Sequence, residues 1–514
     1  MVYLGLSGRG LIAGISISTG MGFIIFGYDD GVIGGLLTAD AFKSTFHLSS
    51  SMEGTVTALF VIGCLFGCLG TSILGGRWGR LTIAQVGSGI LSIGAILQAS
   101  SYTTAQLIVG RIVAGVGLGL ISSNLAVWQS EVATKETRGM LMAVSLTFLI
   151  LGQVLAYWID YGLSGYESSL SWRFPMAFQA FLGIVLSGML FFMPESPRWL
   201  FQHDRHQEGT EVLRLLRSSS HGIVDEAALA ITISEIQDAL ALELEQKGWR
   251  DLFKNDQVRS RRRVFLACLL NACQAWSGST PISYYTTVIF EDSVGFDRHF
   301  ALLMSGFLQI WFLIASFGTW YAIERLGRRR SFITSAIGMA SVMVIMAAML
   351  AIDTHVSGIV AAAMLFAYQA FYTWGFMGGI WCYGPEILPL AHRSKGIGLA
   401  TAFLWLSTFV VIEIVPVAIA NIGWRTYIIF AAFNLAFVPI IYFFYPETAG
   451  FSLEAVDLAF MDHGVSPVKK ADELLRAMRA GRDVRLAGGR SVGEDRKEVE
   501  GEGIQGRVEH VEVA

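Results

Sequence analysis

Charge is what this sequence has least of. Only 15% of its 514 residues are Asp, Glu, Lys or Arg, against about 25% in an ordinary soluble domain. So sparse a supply cannot clothe two or three aqueous domains, and a soluble multidomain protein is excluded. The formal net charge of −4 is too small and of the wrong sign to hold nucleic acid. Cysteine is scarce as well. The five (Cys64, Cys68, Cys268, Cys273, Cys382) all lie in apolar runs, which excludes a disulfide framework. Cys64 and Cys68 share a helix face, but no His or carboxylate stands near, so they read as buried thiols and not as a metal site. There is no Asn-x-Ser/Thr sequon and no signal-peptide cleavage pattern. The first apolar run is therefore expected to be a retained span.

What is abundant is hydrophobicity: 53% of residues are apolar and mean hydropathy is +0.54. A bilayer core of about 30 Å takes about 20 apolar helical residues. Twelve runs of that length can be marked. Six lie near 11–28, 54–74, 81–100, 107–127, 140–159 and 174–193; six more lie near 264–290, 300–323, 331–352, 358–383, 396–419 and 426–445. Several are glycine-rich, as in GRIVAGVGLGL, Gly110 to Leu120, which suits close helix packing. The basic loops (Arg77 and Arg80; Lys135 and Arg138; Arg325 and Arg328 to Arg330; Arg393 and Lys395) all fall on one side. The positive-inside rule makes that side, and both termini, cytoplasmic. The segment 194–263 is patterned like short amphipathic helices, and the tail from 461 to 514 is charged and poor in aromatics, a composition expected to be disordered.

The halves repeat. GGRWGR (75–80) corresponds to ERLGRR (324–329), SEVATKETRG (130–139) to PEILPLAHRSKG (385–396), and PESPRWL (194–200) to PETAGFSL (446–453), all offset by about 250 residues. Glu131 precedes Arg138 by seven positions, as Glu386 precedes Arg393. A six-helix unit therefore occurs twice in one orientation, an arrangement of transporters whose site lies between the halves. The expected fold is all-α: half 1–193, a cytosolic helical loop 194–263, half 264–460 and the tail.

Two acids, Asp29 and Asp30, close the first run in FGYDDG. Asp29 near the far end of helix 1 and Arg111 just over a turn into helix 4 lie at similar depth. A charge there costs about 2.5–3.5 kcal/mol and is usually paired, so the two are expected to pair. Asp30 reads as marking the edge of the span. Glu413, in FVVIEIVPVA of helix 11, is either a cavity contact or a satisfied structural acid. Arg77, Arg80, Glu131, Arg138, Glu324, Arg325, Arg328, Glu386 and Arg393 fall at helix ends on the basic side, where charges can pair across the halves and shut that mouth. Gln153 and Gln274 are amides at mid-depth, costly if they faced lipid.

FGYD (26–29), GR (110–111), WQSE…RG (128–139), GQ (152–153), PESPRWL, QxxSG…YY (274–285), ERLGRR, PE…R…KG and PETAG together resemble the sugar porter branch of the major facilitator superfamily. The resemblance runs from about residue 20 to 460. AYWIDYG (156–162) and PETAGFSLE resemble fungal members most. It implies a proton-coupled sugar importer of the plasma membrane acting as a monomer, with sugar and proton as partners, the bilayer as solvent, and no cofactor, metal or nucleic acid. It implies proton coupling by Asp29 and Arg111, gating by the basic-side charges, and sugar contacts from Gln153, Gln274, Trp381 and Trp405, with Tyr284 and Tyr285 near the outer gate. Departures from the pattern are Gly76 where an acid is usual, and Ala275, Thr280, Leu404 and Ala126 where two amides, another amide and a proline are expected. Those losses leave a disaccharide or a sugar-like acid such as quinate open beside a monosaccharide. An uncoupled facilitator and a transporter-like sensor are the other readings.

Overall fold

Eleven helices among the described residues are long and apolar enough to cross a bilayer. The computed structural model describes residues 6–479 apart from 134–137, 219–224, 245–251, 255, 257, 353, 390–392, 450, 452 and 462–464. In the first half α1 is Gly8–Leu36, α2 Ser50–Trp78, α3 Arg80–Ala99, α4 Thr104–Val132, α5 Arg138–Leu163 and α6 Leu170–Phe191. In the second, α8 is Arg298–Leu326, α9 Arg328–Ile352, α11 Arg393–Ile422 and α12 Arg425–Phe444, while α10 runs as His355–Tyr372 and Gly378–Ile387 across a π turn.

The twelfth crossing is α7, which is interrupted. It consists of Ser260–Gln274 and Thr280–Val288 joined by a π turn, Ala275–Ser279. Gly278 sits in that turn at φ +101°, a conformation open to glycine and strained for other residues. Pro281 follows and has no N–H to continue the ladder. Ser277 and Ser279 hydroxyls donate to the freed Gln274 carbonyl at 2.7 and 3.0 Å. Broken helices survive at membrane depth when side chains re-satisfy the backbone in this way. The helix also begins at Ser260, four residues before the apolar run does, because SRRR forms a basic first turn.

Close helix contact explains the glycine content. A Cβ on Gly115 or Gly119 of α4 would overlap the carbonyls of Phe60 and Cys64 on α2. One on Gly152 of α5 would overlap the Ile24 carbonyl of α1. With lipid as solvent there is little hydrophobic drive between helices, so backbone proximity and dispersion supply the cohesion.

An even number of crossings puts Gly8, where the first span begins, and Phe444, where the last one ends, on one face. On that face the middle segment folds as helices Pro197–Gln202, His206–Arg217 and Glu226–Leu244, with a small core of Phe201, Leu213 and Leu229. The second half ends in a helix, Leu453–Met461, and the tail differs from its compositional reading in the helix Pro467–Arg479. The buried Arg263 pairs with Asp457 at 2.5 Å, and Arg329 pairs with Asp472 at 3.5 Å, so both helices are tied to the second half. Residues 480–514 lie outside the described part.

Candidate functional site

The carboxylate at the end of the first span is enclosed. Asp29 and Arg111 are 1% and 0% exposed, and Arg111 Nη1 donates to Asp29 Oδ1 at 2.9 Å. Gln179 of α6 donates to the same oxygen. The guanidinium lies over the Phe60 ring at 4.4 Å and its Nε donates to the Val56 carbonyl at 3.4 Å. Four helices (α1, α2, α4, α6) thus converge on one ion pair, at the depth the topology predicts.

Asp30 does not mark an edge. It is buried at 7% exposure, and Tyr284 Oη of α7 donates to its Oδ1 at 2.6 Å. The α-helical turn sends Asp29 and Asp30 to different neighbours, one inside the first half and one across the halves. Gln153 of α5 lies beside Asp30 and its Oε1 is buried without a hydrogen-bond partner. One turn on, Tyr157 Oη donates to the Ser283 carbonyl at 3.0 Å. Gly34 lets these approach: a Cβ there would sit 2.8 Å from Tyr157 Oη and 2.7 Å from the Tyr284 carbonyl.

The other expected contacts divide. Gln274 Nε2 donates to Tyr372 Oη at 3.0 Å, and its Oε1 is buried and unpartnered. Trp405 is buried with its ring 5.5 Å from Phe26 of α1, and Trp381 is half-buried against the same core. Tyr285 does not join its neighbour: its hydroxyl donates to the Ile412 carbonyl of α11 at 3.1 Å, within its own half. Glu413 accepts from Thr55 of α2 at 2.6 Å, so it ties the halves together towards the far face. Sequence reading missed Gln179, Gln309 and Gln369. Gln309 and Gln369 are fully buried, with both amide atoms of Gln309 and Oε1 of Gln369 unpartnered. The signal that marked Gln153, an amide inside an apolar run, applies equally to all three.

Two of the basic-face pairs among the described residues form inside the halves. Arg80 makes a bidentate pair with Glu131, Nη2 to Oε1 at 3.0 Å and Nε to Oε2 at 3.3 Å, inside the first half. Arg328 pairs with Glu386 at 2.9 Å inside the second. The reason lies in two acids of the repeated motifs. Glu195 accepts from the Arg80 and Leu81 amides at 3.0 and 3.1 Å. Glu447 accepts from those of Arg328 and Arg329 at 2.9 and 3.1 Å. Each carboxylate caps the positive end of α3 or α9 and fixes the arginine beside its own half's acid. Burial pushes the Glu195 carboxyl up from its ordinary range, while these N–H donors and Arg80 pull it back. Arg77 and Arg325 are exposed and Arg393 half-buried; the side chains of Arg138 and Glu324 lie outside the described part.

The sequence profile described as "Sugar (and other) transporter" matches residues 15–460. The MFS-type transporter oryC of Aspergillus oryzae is 35% identical, the match covering 88% of this chain and 86% of that protein. The sugar transporter STL1 of Saccharomyces cerevisiae is 32% identical over 91% of this chain and 85% of its own. The fold matches that of the proton:xylose symporter XylE bound to 6-bromo-6-deoxy-D-glucose, with a TM-score of 0.74 at 24% identity, covering 88% of this chain and 99% of that one. The repeated six-helix units, the paired end motifs and a profile match over most of the length agree: this chain belongs to the sugar (and other) transporter family, with the twelve-helix major facilitator fold.

Proposed function

We propose that the protein imports a sugar, a monosaccharide foremost, by alternating access coupled to proton uptake. The observation that carries this is the enclosed Asp29–Arg111 pair at 2.9 Å. Low dielectric favours the neutral carboxyl and Arg111 favours the ionised one, so a proton on Asp29 releases Arg111 and alters the packing of four helices. Two relatives by name support the class: STL1 is a sugar transporter, and a protein of Kluyveromyces lactis that is 28% identical is a high-affinity glucose transporter. The fold-mate XylE is a proton:xylose symporter.

On this reading sugar hydroxyls meet Gln153 and Gln274, whose amide oxygens are buried without partners, and the rings of Trp381 and Trp405 offer apolar faces. Tyr284 and Tyr285 flank the outer gate. The clusters of Arg80 with Glu131 and Arg328 with Glu386, with Arg77, Arg138, Glu324, Arg325 and Arg393 about them, shape the inner mouth. The basic face is cytoplasmic by the positive-inside rule, and the membrane is the plasma membrane. One charge moved across 100 mV supplies about 2.3 kcal/mol, which concentrates a neutral solute roughly fiftyfold at about 1.4 kcal/mol per tenfold.

The test is uptake of labelled monosaccharides, disaccharides and quinate into proteoliposomes, with and without an inward proton gradient. Accumulation above equilibrium only with the gradient, abolished by Asp29→Asn, is the expected result. Gradient-independent equilibration identifies a facilitator. Absence of flux for the whole panel overturns the transport reading in favour of a sensor.

A further inference from the structure

We propose that Asp30 is a second proton-binding carboxyl of the cycle and, with Tyr284, forms a latch that shuts the face opposite the termini. This rests on the proton-coupled, alternating-access reading above. The hydrogen bond from Tyr284 Oη to Asp30 Oδ1 spans the two halves at 2.6 Å and is buried. Two further cross-half contacts flank it: Tyr157 Oη to the Ser283 carbonyl at 3.0 Å, and Gly34 against the Tyr284 backbone. Opening the far face must break all three, because α1 and α5 belong to one half and α7 to the other.

The latch stands on the second piece of α7, beyond the turn at Gly278. That piece can swing without dragging Ser260–Gln274 with it.

A proton enters the argument through the surroundings of Asp30. The titratable groups that face it are Asp29 on its own helix, Cys64 on α2, Arg111 on α4, Tyr157 on α5, Tyr284 on α7 and Tyr372 on α10. Asp160 of α5 packs further out, against Gly35. Arg111 is the cation in this set, and its ion pair is to Asp29. Enclosing an ionised carboxylate without a cation of its own is costly, whereas the neutral acid needs only hydrogen bonds. With the latch open, water reaches Asp30 and the charge is tolerated. Closure and uptake of a proton from the far side therefore proceed together: the proton goes onto Oδ2 while Oδ1 keeps accepting from Tyr284. Gln153 lies beside Asp30 as a side-chain donor to the ionised carboxylate; a turn of its amide brings Oε1, which is buried without a partner, round to accept the hydrogen bond of the neutral acid. Gln153 is also the proposed sugar amide of α5, so one side chain joins the substrate to the latch.

The test is hydrogen exchange of residues 30–38 and 279–290 in the full chain in lipid nanodiscs. It compares acidic with mildly alkaline buffer and corrects for intrinsic exchange. Asp30→Ala and Tyr284→Phe should raise exchange of both segments about tenfold over the wild type in acidic buffer, where the latch is closed, the equivalent of one lost hydrogen bond. The wild type should loosen as pH rises. Asp30→Asn, an uncharged mimic that still accepts from Tyr284, should stay protected at both pH values. The proposal is overturned if the wild type shows no pH response, if Asp30→Asn loosens with pH as the wild type should, or if Asp30→Ala and Tyr284→Phe remain as protected as the parent in acidic buffer. The readout needs neither sugar nor flux, so an error in the transport reading shows in uptake and an error in the latch shows here.

Discussion

Arg111 is wholly enclosed, and the single ion pair it makes is with Asp29. Removing one partner of a buried pair leaves the other charge uncompensated, at a cost of about 3–5 kcal/mol. Arg111→Gln alone should therefore lower the thermal midpoint of the purified protein sharply. Asp29→Asn combined with Arg111→Gln should recover most of that loss, because no charge then remains buried. Neither variant should accumulate substrate. Equal midpoints for single and double variants would show that Asp29 is compensated by other groups. Much of this site is legible in the sequence. Topology alone sets Asp29 and Arg111 at one depth, and buried charges seek partners. Asp30 is not legible, because adjacent helical residues point about 100° apart and only the fold shows that this direction meets Tyr284 and not water. The direction of Tyr285 is hidden for the same reason: it diverges from Tyr284, and its hydroxyl meets the Ile412 carbonyl of α11.

At the scale of the element, α3 and α9 begin alike. Each follows a glycine of positive φ, Gly79 at +85° and Gly327 at +84°. A Cβ there would sit 2.5 Å from a Glu195 oxygen and 2.6 Å from a Glu447 oxygen. Gly79→Ala and Gly327→Ala should each cost about 1–3 kcal/mol in backbone strain alone, and more as the capping carboxylate is displaced. Gly89→Ala is the control, since a Cβ at Gly89 meets nothing within 4 Å; its midpoint should hold or rise. The sequence shows the offset of about 250 residues between PESP and PETAG, and so the repeat. It does not show that the motif acid reaches the first turn of a helix more than a hundred residues earlier. The hydrophobic runs give the spans to within a few residues. They do not show the interruption of α7, because a π turn leaves mean hydropathy unchanged. The tail helix Pro467–Arg479 escapes composition for a different reason, as it is tied through Asp472 to Arg329, which lies in another part of the chain.

At the scale of the molecule, the described clusters of Arg80 with Glu131 and Arg328 with Glu386 bind within halves, and the described hydrogen bonds of Tyr284, Tyr157 and Thr55 join the halves towards the far face. Each half can then move as a rigid unit, and its orientation is set by a few cross-half contacts, a bistable arrangement that small free energies can bias. Glu413 and Thr55 form one such contact, at 2.6 Å between α11 and α2. Gly54 permits it, since a Cβ there would come 2.9 Å from the Glu413 carbonyl. If Glu413 is a tie between halves, its charge is incidental and its hydrogen bond is what matters. Glu413→Gln still accepts from Thr55 and should exchange labelled substrate at the parent rate with equal pH on both sides. Glu413→Ala loses the bond, worth about 1 kcal/mol, and should shift the far face towards open and change the exchange rate about fivefold. Thr55→Val should reproduce that change, and joining it to Glu413→Ala should add nothing further, because both remove the same bond. If Glu413→Gln instead abolishes exchange while Thr55→Val is neutral, Glu413 acts through its charge, and it belongs to the substrate or proton path and not to the hinge.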